Sequence, residues 1–162
     1  MKENKQLEFK SDITNTFLKT VSAFANYNGG KIIFCVEDDG EVVGLNNPVQ
    51  ACLDIENKIN DTIRPQPQYE LSVQDVEKTV TLMVEPGVHK PYTYKSKAYR
   101  RNDTATIEVD ELELSRLILQ GKNINYENLT AADQNLRFRI LEERAKSEIG
   151  IRSLNKDVLK TL

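Results

Sequence analysis

The sequence predicts an α+β fold, in which a mixed β-sheet built of hairpins is flanked by helices. Three observations carry this prediction. A stretch with apolar residues at four-residue spacing leads directly into a short apolar run. Two segments rich in β-branched residues are separated by a two-residue polar turn. A second helical pattern stops at two closely spaced prolines, so helical and strand patterns alternate along the chain.

The first helix is predicted over residues 12–27, where the apolar spacing marks one buried face. Ser11 or Asp12 can accept hydrogen bonds from its first free amides. Gly29 and Gly30 are predicted to end it, because glycine tolerates the left-handed conformation that closes a helix.

The run 31–36 is apolar throughout after Lys31, as is typical of a buried central strand. Residues 38–40, Asp-Asp-Gly, predict a turn into a second strand over 41–45. A second helix is predicted over 49–63, since the prolines that follow cannot continue it.

The next segments, 69–76 and 79–84, predict a further hairpin, and 99–101 and 105–109 predict two short strands. Asp110 is predicted to cap a helix that ends at Gly121. We expect residues 1–121 to form one domain. Residues 122–162 are expected to be a linker and a charged helix, over about 131–149, leading to a missing C-terminal domain.

The composition favours a globular protein, with 39% hydrophobic and 29% charged residues in 162. No apolar run approaches the roughly 18 residues of a membrane span, and the N-terminus lacks the apolar core of a signal peptide. We therefore expect a cytoplasmic protein without a membrane partner.

Cys35 and Cys52 lie among apolar neighbours and are predicted to be free thiols.

Gly30 and Lys31 suggest a phosphate-binding loop, but the pattern is incomplete. That loop requires Ser or Thr after the lysine, a longer spacing between glycines and a following helix. Here Ile32 follows, and a strand is predicted. The glycines are therefore interpreted as conformational, and ATP is not expected as a cofactor.

The charge is segregated along the chain, although the net charge is −3. The stretch 90–101 contains five cations, interleaved with tyrosines, and no acidic residue. The stretch 103–113 contains five acidic residues and no basic one. Cations neutralise phosphates and tyrosines can stack on bases, so this stretch is a candidate nucleic-acid face. The alternative is a solvated loop whose tyrosines cover a sheet edge. The candidate binding residues are Lys90, Lys95, Lys97, Tyr99, Arg100 and Arg101.

Three stretches together resemble the Schlafen-type, AlbA-like domain: LEFKSD at 7–12, VSAFANYNGGKIIFCVEDDGEVVGL at 21–45, and KPYTYKSKAYRRNDTAT at 90–106. The resemblance covers about residues 3–120. It implies a nucleic-acid-binding N-terminal module of a bacterial transcriptional regulator. One departure is Cys35, which stands where the family usually has glycine.

Vertebrate Schlafen members include RNA endonucleases with three metal-binding carboxylates. Their Glu-x-x-x-x-Glu-Phe-Lys motif corresponds to Glu3, Glu8 and Lys10 here, and the third carboxylate to Asp38. The resemblance thus implies a catalytic set of Glu3, Glu8, Lys10 and Asp38, with the three acids holding Mg²⁺ or Mn²⁺. The alternative is structural: Glu8 pairs with a lysine and Asp38 belongs to a turn.

Three functions remain open from the sequence. The first is a nucleic-acid-binding domain, DNA or RNA, working as a homodimer. The second is a divalent-metal-dependent RNA or DNA endonuclease. The third is a dimerisation or interaction module that does not contact nucleic acid.

Overall fold

The computed structural model describes residues 2–123. The chain divides into two compact units, residues 1–128 and 129–162, and the charged helix predicted over 131–149 lies outside the described residues. None of the helices in the described part is long and apolar enough to cross a membrane.

In chain order the elements are β1 (Leu7–Lys10), α1 (Phe17–Asn26), β2 (Gly30–Phe34), α2 (Pro48–Thr62), β3 (Ile63–Arg64), β4 (Tyr69–Gln74), β5 (Thr79–Val84), β6 (Thr93–Tyr94), β7 (Lys97–Asn102), β8 (Ala105–Glu108) and α3 (Glu111–Gly121).

The strands form two four-stranded sheets, which confirms the α+β prediction. The first sheet has the order β1-β2-β5-β4, with β1 parallel to β2 and the remaining pairs antiparallel. The second has the order β3-β6-β7-β8 and is antiparallel throughout. The apolar run of β2 lies inside the first sheet, as predicted, because its side chains must be covered on both faces.

Helix α1 is the centre of the fold, and nine of its ten residues are buried. One core cluster joins α1 to Phe34 and Leu82 of the first sheet and to Tyr94 and Tyr99 of the second. Phe17 meets Phe34 edge-to-face at 5.2 Å between ring centroids. A smaller cluster, on the opposite face of β7, packs Ala98 against α3. Strand β7 therefore lies between α1 and α3.

Two buried polar side chains of α1 bind the backbone of Tyr92, the residue that immediately precedes β6. The Asn26 amide donates to the backbone carbonyl of Tyr92 at 2.8 Å and accepts from its N–H at 2.7 Å. The Ser22 hydroxyl donates to the same carbonyl at 2.7 Å. These bonds satisfy backbone groups that are shielded from water, which explains why polar residues occur on a buried helix.

The glycine pair acts through its conformation, as interpreted from the sequence. Gly29 has a φ of 69°, and its N–H bonds to the carbonyl of Phe24 to close α1. A β-carbon on Gly30 would lie 2.6 Å from the Phe24 ring, so a side chain there would collide with the core. The caps of α2 and α3 are side chains of Asn47 and Asp110.

Two sequence predictions about boundaries differ from the structure. Helix α1 begins at Phe17 rather than near residue 12, and Thr16 occupies its N-cap position. The strand predicted over 41–45 is absent from the described fold, where an isolated bridge joins Val36 to Val42. Gly44, with a φ of 74°, turns the chain away before a ladder can form.

Candidate nucleic-acid interface

The second sheet and the start of α1 enclose an open groove, here called the lysine groove, of about 400 Å³. Its cations are Lys19 of α1, Lys95 of the β6–β7 turn and Lys97 of β7. The remaining lining residues are Asn15, Thr16, Tyr94 and Tyr99. Residues 15 and 16 immediately precede α1, so the groove opens at the N-terminus of that helix. The partial positive charge of a helix N-terminus adds to that of the lysines.

A tight turn presents Lys95 at the edge of the groove. Lys95 and Ser96 both have positive φ values, 51° and 62°, as a two-residue type I′ hairpin turn requires. The pairing of Thr93 with Ala98 and of Tyr94 with Lys97 fixes the register on either side. Strand alternation then places Lys97 and Tyr99 on the same face of β7, beside α1.

The lysines of the groove are held by aromatic and acidic neighbours. The Lys19 ammonium lies 5.8 Å from the Tyr99 ring centroid, and that of Lys95 lies 5.4 Å from the Tyr94 centroid. Lys97 forms an ion pair with Glu108 at 2.8 Å, with both side chains about half exposed. The hydrogen bond from Lys97 to Glu108 raises the pKa of that ammonium above its ordinary value. Lys97 therefore remains cationic at neutral pH.

The tyrosines of the basic stretch are buried instead of displayed. Tyr92, Tyr94 and Tyr99 are 3%, 4% and 7% exposed and belong to the central core. Burial is the main cause that raises the pKa of the Tyr99 phenol. The rings of Tyr94 and Tyr99 line the groove beneath Lys95 and Lys19. Base stacking, suggested by the sequence, would require the tyrosines to leave the core.

The predicted basic residues do not share one surface. Arg100 lies on the face of β7 opposite Lys97 and Tyr99. Arg101 has a side chain 5% exposed, paired with Glu8. Lys90 approaches the end of α3, where its ammonium donates to the side-chain amide oxygen of Gln120 at 3.5 Å. The groove thus unites Lys95, Lys97 and Tyr99 of the predicted set with residues that the sequence argument missed.

Lys19, Asn15 and Thr16 are those missed residues. They lie about 80 positions from the basic stretch, and their role depends on the packing of α1 against β7. A partial signal existed in the sequence, since Lys19 is the only cation within the apolar pattern of the first helix.

The carboxylates of the implied nuclease site have separate partners. Glu8 accepts from Lys10 at 2.6 Å, from Thr20 at 3.2 Å and from Arg101. Glu3 accepts from the backbone N–H of Phe9 at 2.7 Å. Asp38 is exposed in the turn that follows Val36. The structure therefore places Glu8 and Lys10 together, and Asp38 in a turn, as the structural alternative expects.

These residues do not fit a resident Mg²⁺ or Mn²⁺. Within residues 2–123, no group of three or more His, Cys, Asp and Glu side chains could hold a metal ion. Both oxygens of Glu8 already accept from cations, which compete with a metal for the same lone pairs.

Cys35 and Cys52 are free thiols. Desolvation by burial is the main cause that raises the pKa of both, so each stays protonated at neutral pH. Cys35 has a φ of 63°, a conformation that glycine adopts without strain. A glycine, which the family resemblance implies at this position, would fit this backbone without strain.

Comparisons with known proteins agree with this fold. The family model described as Schlafen, AlbA_2 matches residues 3–110. The crystal structure of the DIP2311 protein from Corynebacterium diphtheriae superposes with a TM-score of 0.56 at 15% identity, over 93% of this chain and 31% of that one. The chain therefore spans less than a third of that protein's length.

The solution structure of the N-terminal domain of a RecG-related protein from Nitrosomonas europaea gives a TM-score of 0.47 at 21% identity. This match covers 85% of the present chain and 90% of that domain. The comparison with curated proteins found no match.

Proposed function

Since the chain belongs to the Schlafen AlbA_2 family, we propose that it is a nucleic-acid-binding module, which holds the phosphate backbone of DNA or RNA in the lysine groove. In this proposal the module serves a larger transcriptional regulator. One observation carries it: Lys19, Lys95 and Lys97, from separate parts of the chain, line one open groove at the N-terminus of α1.

The chemistry of the groove suits phosphate rather than base edges. Each ammonium that approaches a phosphate releases condensed counterions, which drives binding without regard to sequence. The tyrosines beneath the lysines are buried, so they shape the groove and orient the cations. Binding through these residues is therefore expected to be salt-dependent and tolerant of sequence.

Glu108 limits the positive charge of the groove, because it pairs with Lys97. The pair is exposed to solvent, so it contributes little to stability. Removing the carboxylate would free Lys97 for a phosphate while leaving the fold unchanged.

The test compares two triple variants of equal charge in the 162-residue chain. One is Lys19→Gln, Lys95→Asn, Lys97→Gln in the groove. The control is Lys2→Gln, Lys31→Gln, Lys78→Asn, all at exposed positions outside it. Asparagine is used at 95 and 78 because both have a φ of 51°, which asparagine tolerates.

Binding of a labelled single-stranded oligonucleotide is measured by fluorescence anisotropy at several salt concentrations. The groove variant should bind more weakly, and its slope of log affinity against log salt should fall by about 2, since three phosphate contacts are lost. Glu108→Gln should bind more tightly than the unmodified chain. Equal losses in the two triple variants, or no binding by the unmodified chain at low salt, would refute the proposal.

A further inference from the structure

A second basic site lies beyond the groove, in a cavity of about 200 Å³ between the end of α1, β7 and α3, here called the arginine cavity. Three of its lining side chains, Lys5, Arg100 and Arg101, are cations, and one, Glu113, is a carboxylate. Arg101 is compensated by Glu8. Within residues 2–123, Lys5 and Arg100 form no ion pair.

The carboxylate of the cavity is already engaged. Glu113 accepts from the Tyr27 hydroxyl at 2.8 Å and from Arg116 at 3.4 Å. Because Glu113 is engaged by Tyr27 and Arg116, its negative charge only partly offsets the charges of Lys5 and Arg100. The cavity keeps a net positive charge that an anion can balance.

The wall of the cavity also contains a donor without an acceptor. Arg101 bonds through its two terminal nitrogens to Glu8, Thr106 and the Asn4 carbonyl. Its Nε is buried and is the only buried side-chain nitrogen or oxygen among the described residues without a hydrogen-bond partner. A buried donor without an acceptor is costly, so the protein partners of Arg101 satisfy this guanidinium only in part.

We propose that the arginine cavity binds a phosphate group, with Arg100 and Lys5 as its direct partners and Arg101 as the buried cation behind them. Phosphate suits the site because arginine donates two parallel N–H bonds to phosphate oxygens, and because the negative charge of a phosphate offsets that of the unpaired cations. The neighbouring Gly29 does not make this a phosphate-binding loop, since the binding side chains come from β7 and the N-terminal segment.

The cavity and the lysine groove follow one another along α1. Thr16 and Lys19 line the groove, whereas Phe24 and Tyr27 line the cavity. At a rise of 1.5 Å per residue, Lys19 and Tyr27 are about 12 Å apart along the helix direction. A polynucleotide in the groove could therefore supply the phosphate, and this source rests on the proposed function. The alternative source is free phosphate, which requires no nucleic acid.

The experiment uses inorganic phosphate as the probe and follows the amide resonances of the chain by NMR. We expect saturable shifts at Asn28, Gly29 and Arg100. Arg100→Gln should weaken phosphate binding roughly tenfold, as expected for losing a charged hydrogen-bond donor. Glu113→Gln should strengthen it, because the amide still accepts from Tyr27 but carries no charge. The control Lys78→Asn, a lysine outside the cavity, should leave it unchanged.

A second titration adds the single-stranded oligonucleotide to the phosphate-bound protein. Displacement of phosphate from the cavity identifies the polynucleotide backbone as the source. Binding of the strand without displacement identifies free phosphate, and both results support the cavity. The absence of saturable phosphate shifts, or equal affinity in Arg100→Gln and the unmodified chain, would overturn the proposal. If the strand does not bind at all, the proposed function fails while the phosphate result stands.

Discussion

The Glu8 side chain lies in the interior, where three donors surround it. Its side chain is only 6% exposed, yet Lys10, Thr20 and Arg101 satisfy its oxygens. The ion pair between Glu8 and Arg101 joins β1 of the first sheet to β7 of the second. The two residues are 93 positions apart in the sequence. Arg101, expected from the sequence to bind nucleic acid, is instead the partner that compensates this buried carboxylate.

Glu8→Gln is expected to destabilise the fold by about 3 kcal/mol, because it leaves the buried Arg101 charge without its partner. The free energy of unfolding is measured in urea by circular dichroism. Glu70→Gln, an exposed carboxylate on β4, is the control and should change stability by less than about 0.5 kcal/mol. In the double variant Glu8→Gln, Arg101→Gln part of the loss should be recovered; strictly additive losses would argue against the ion pair.

At the scale of elements, α1 organises both the core and the candidate site. Its apolar side chains pack against both sheets, while Asn26 and Ser22 bind the backbone of Tyr92. Its start contributes Lys19 to the groove, and its end contributes Tyr27 to the arginine cavity. A change that shifts this helix is therefore expected to disturb both sites together.

Asn26→Ala is expected to cost about 2 to 4 kcal/mol, since the N–H and the carbonyl of Tyr92 both lose a buried partner. Thermal and urea unfolding measure the loss. Asn28→Ala, at an exposed position two residues later, serves as the matched control and should have little effect. If both substitutions cost the same, the two bonds to Tyr92 do not stabilise the fold as described.

At the scale of the whole molecule, a chain with a net charge of −3 still offers two positive sites. Their cations come from the N-terminal segment, α1 and the second sheet. Homodimerisation and a role in transcription stay predictions.

Binding of the oligonucleotide is expected to be constant between about pH 6 and about pH 9, because the groove depends on lysines. Glu108 raises the pKa of Lys97, so the protonated, binding form persists to higher pH than for an ordinary lysine. Affinity should then fall as Lys97 loses its proton. Anisotropy titrations across this range check the profile. His89→Gln, an exposed position outside the groove, should leave it unchanged, and a decrease near pH 6.5 would contradict the role of the lysines.

The sequence by itself determined the α+β class, the central strand, the role of the glycine pair and the cap of α3, because each depends on local periodicity or on backbone conformation. Family membership also followed from linear motifs. Only the tertiary structure decided which charges meet. It separated Arg100 from Lys97, paired Arg101 with Glu8, placed Asp38 in an exposed turn and brought Lys19 to the groove. These outcomes depend on strand alternation in β7 and on the packing of α1 against residues that are distant in sequence. Contacts between distant residues cannot be predicted from the pattern of neighbouring residues.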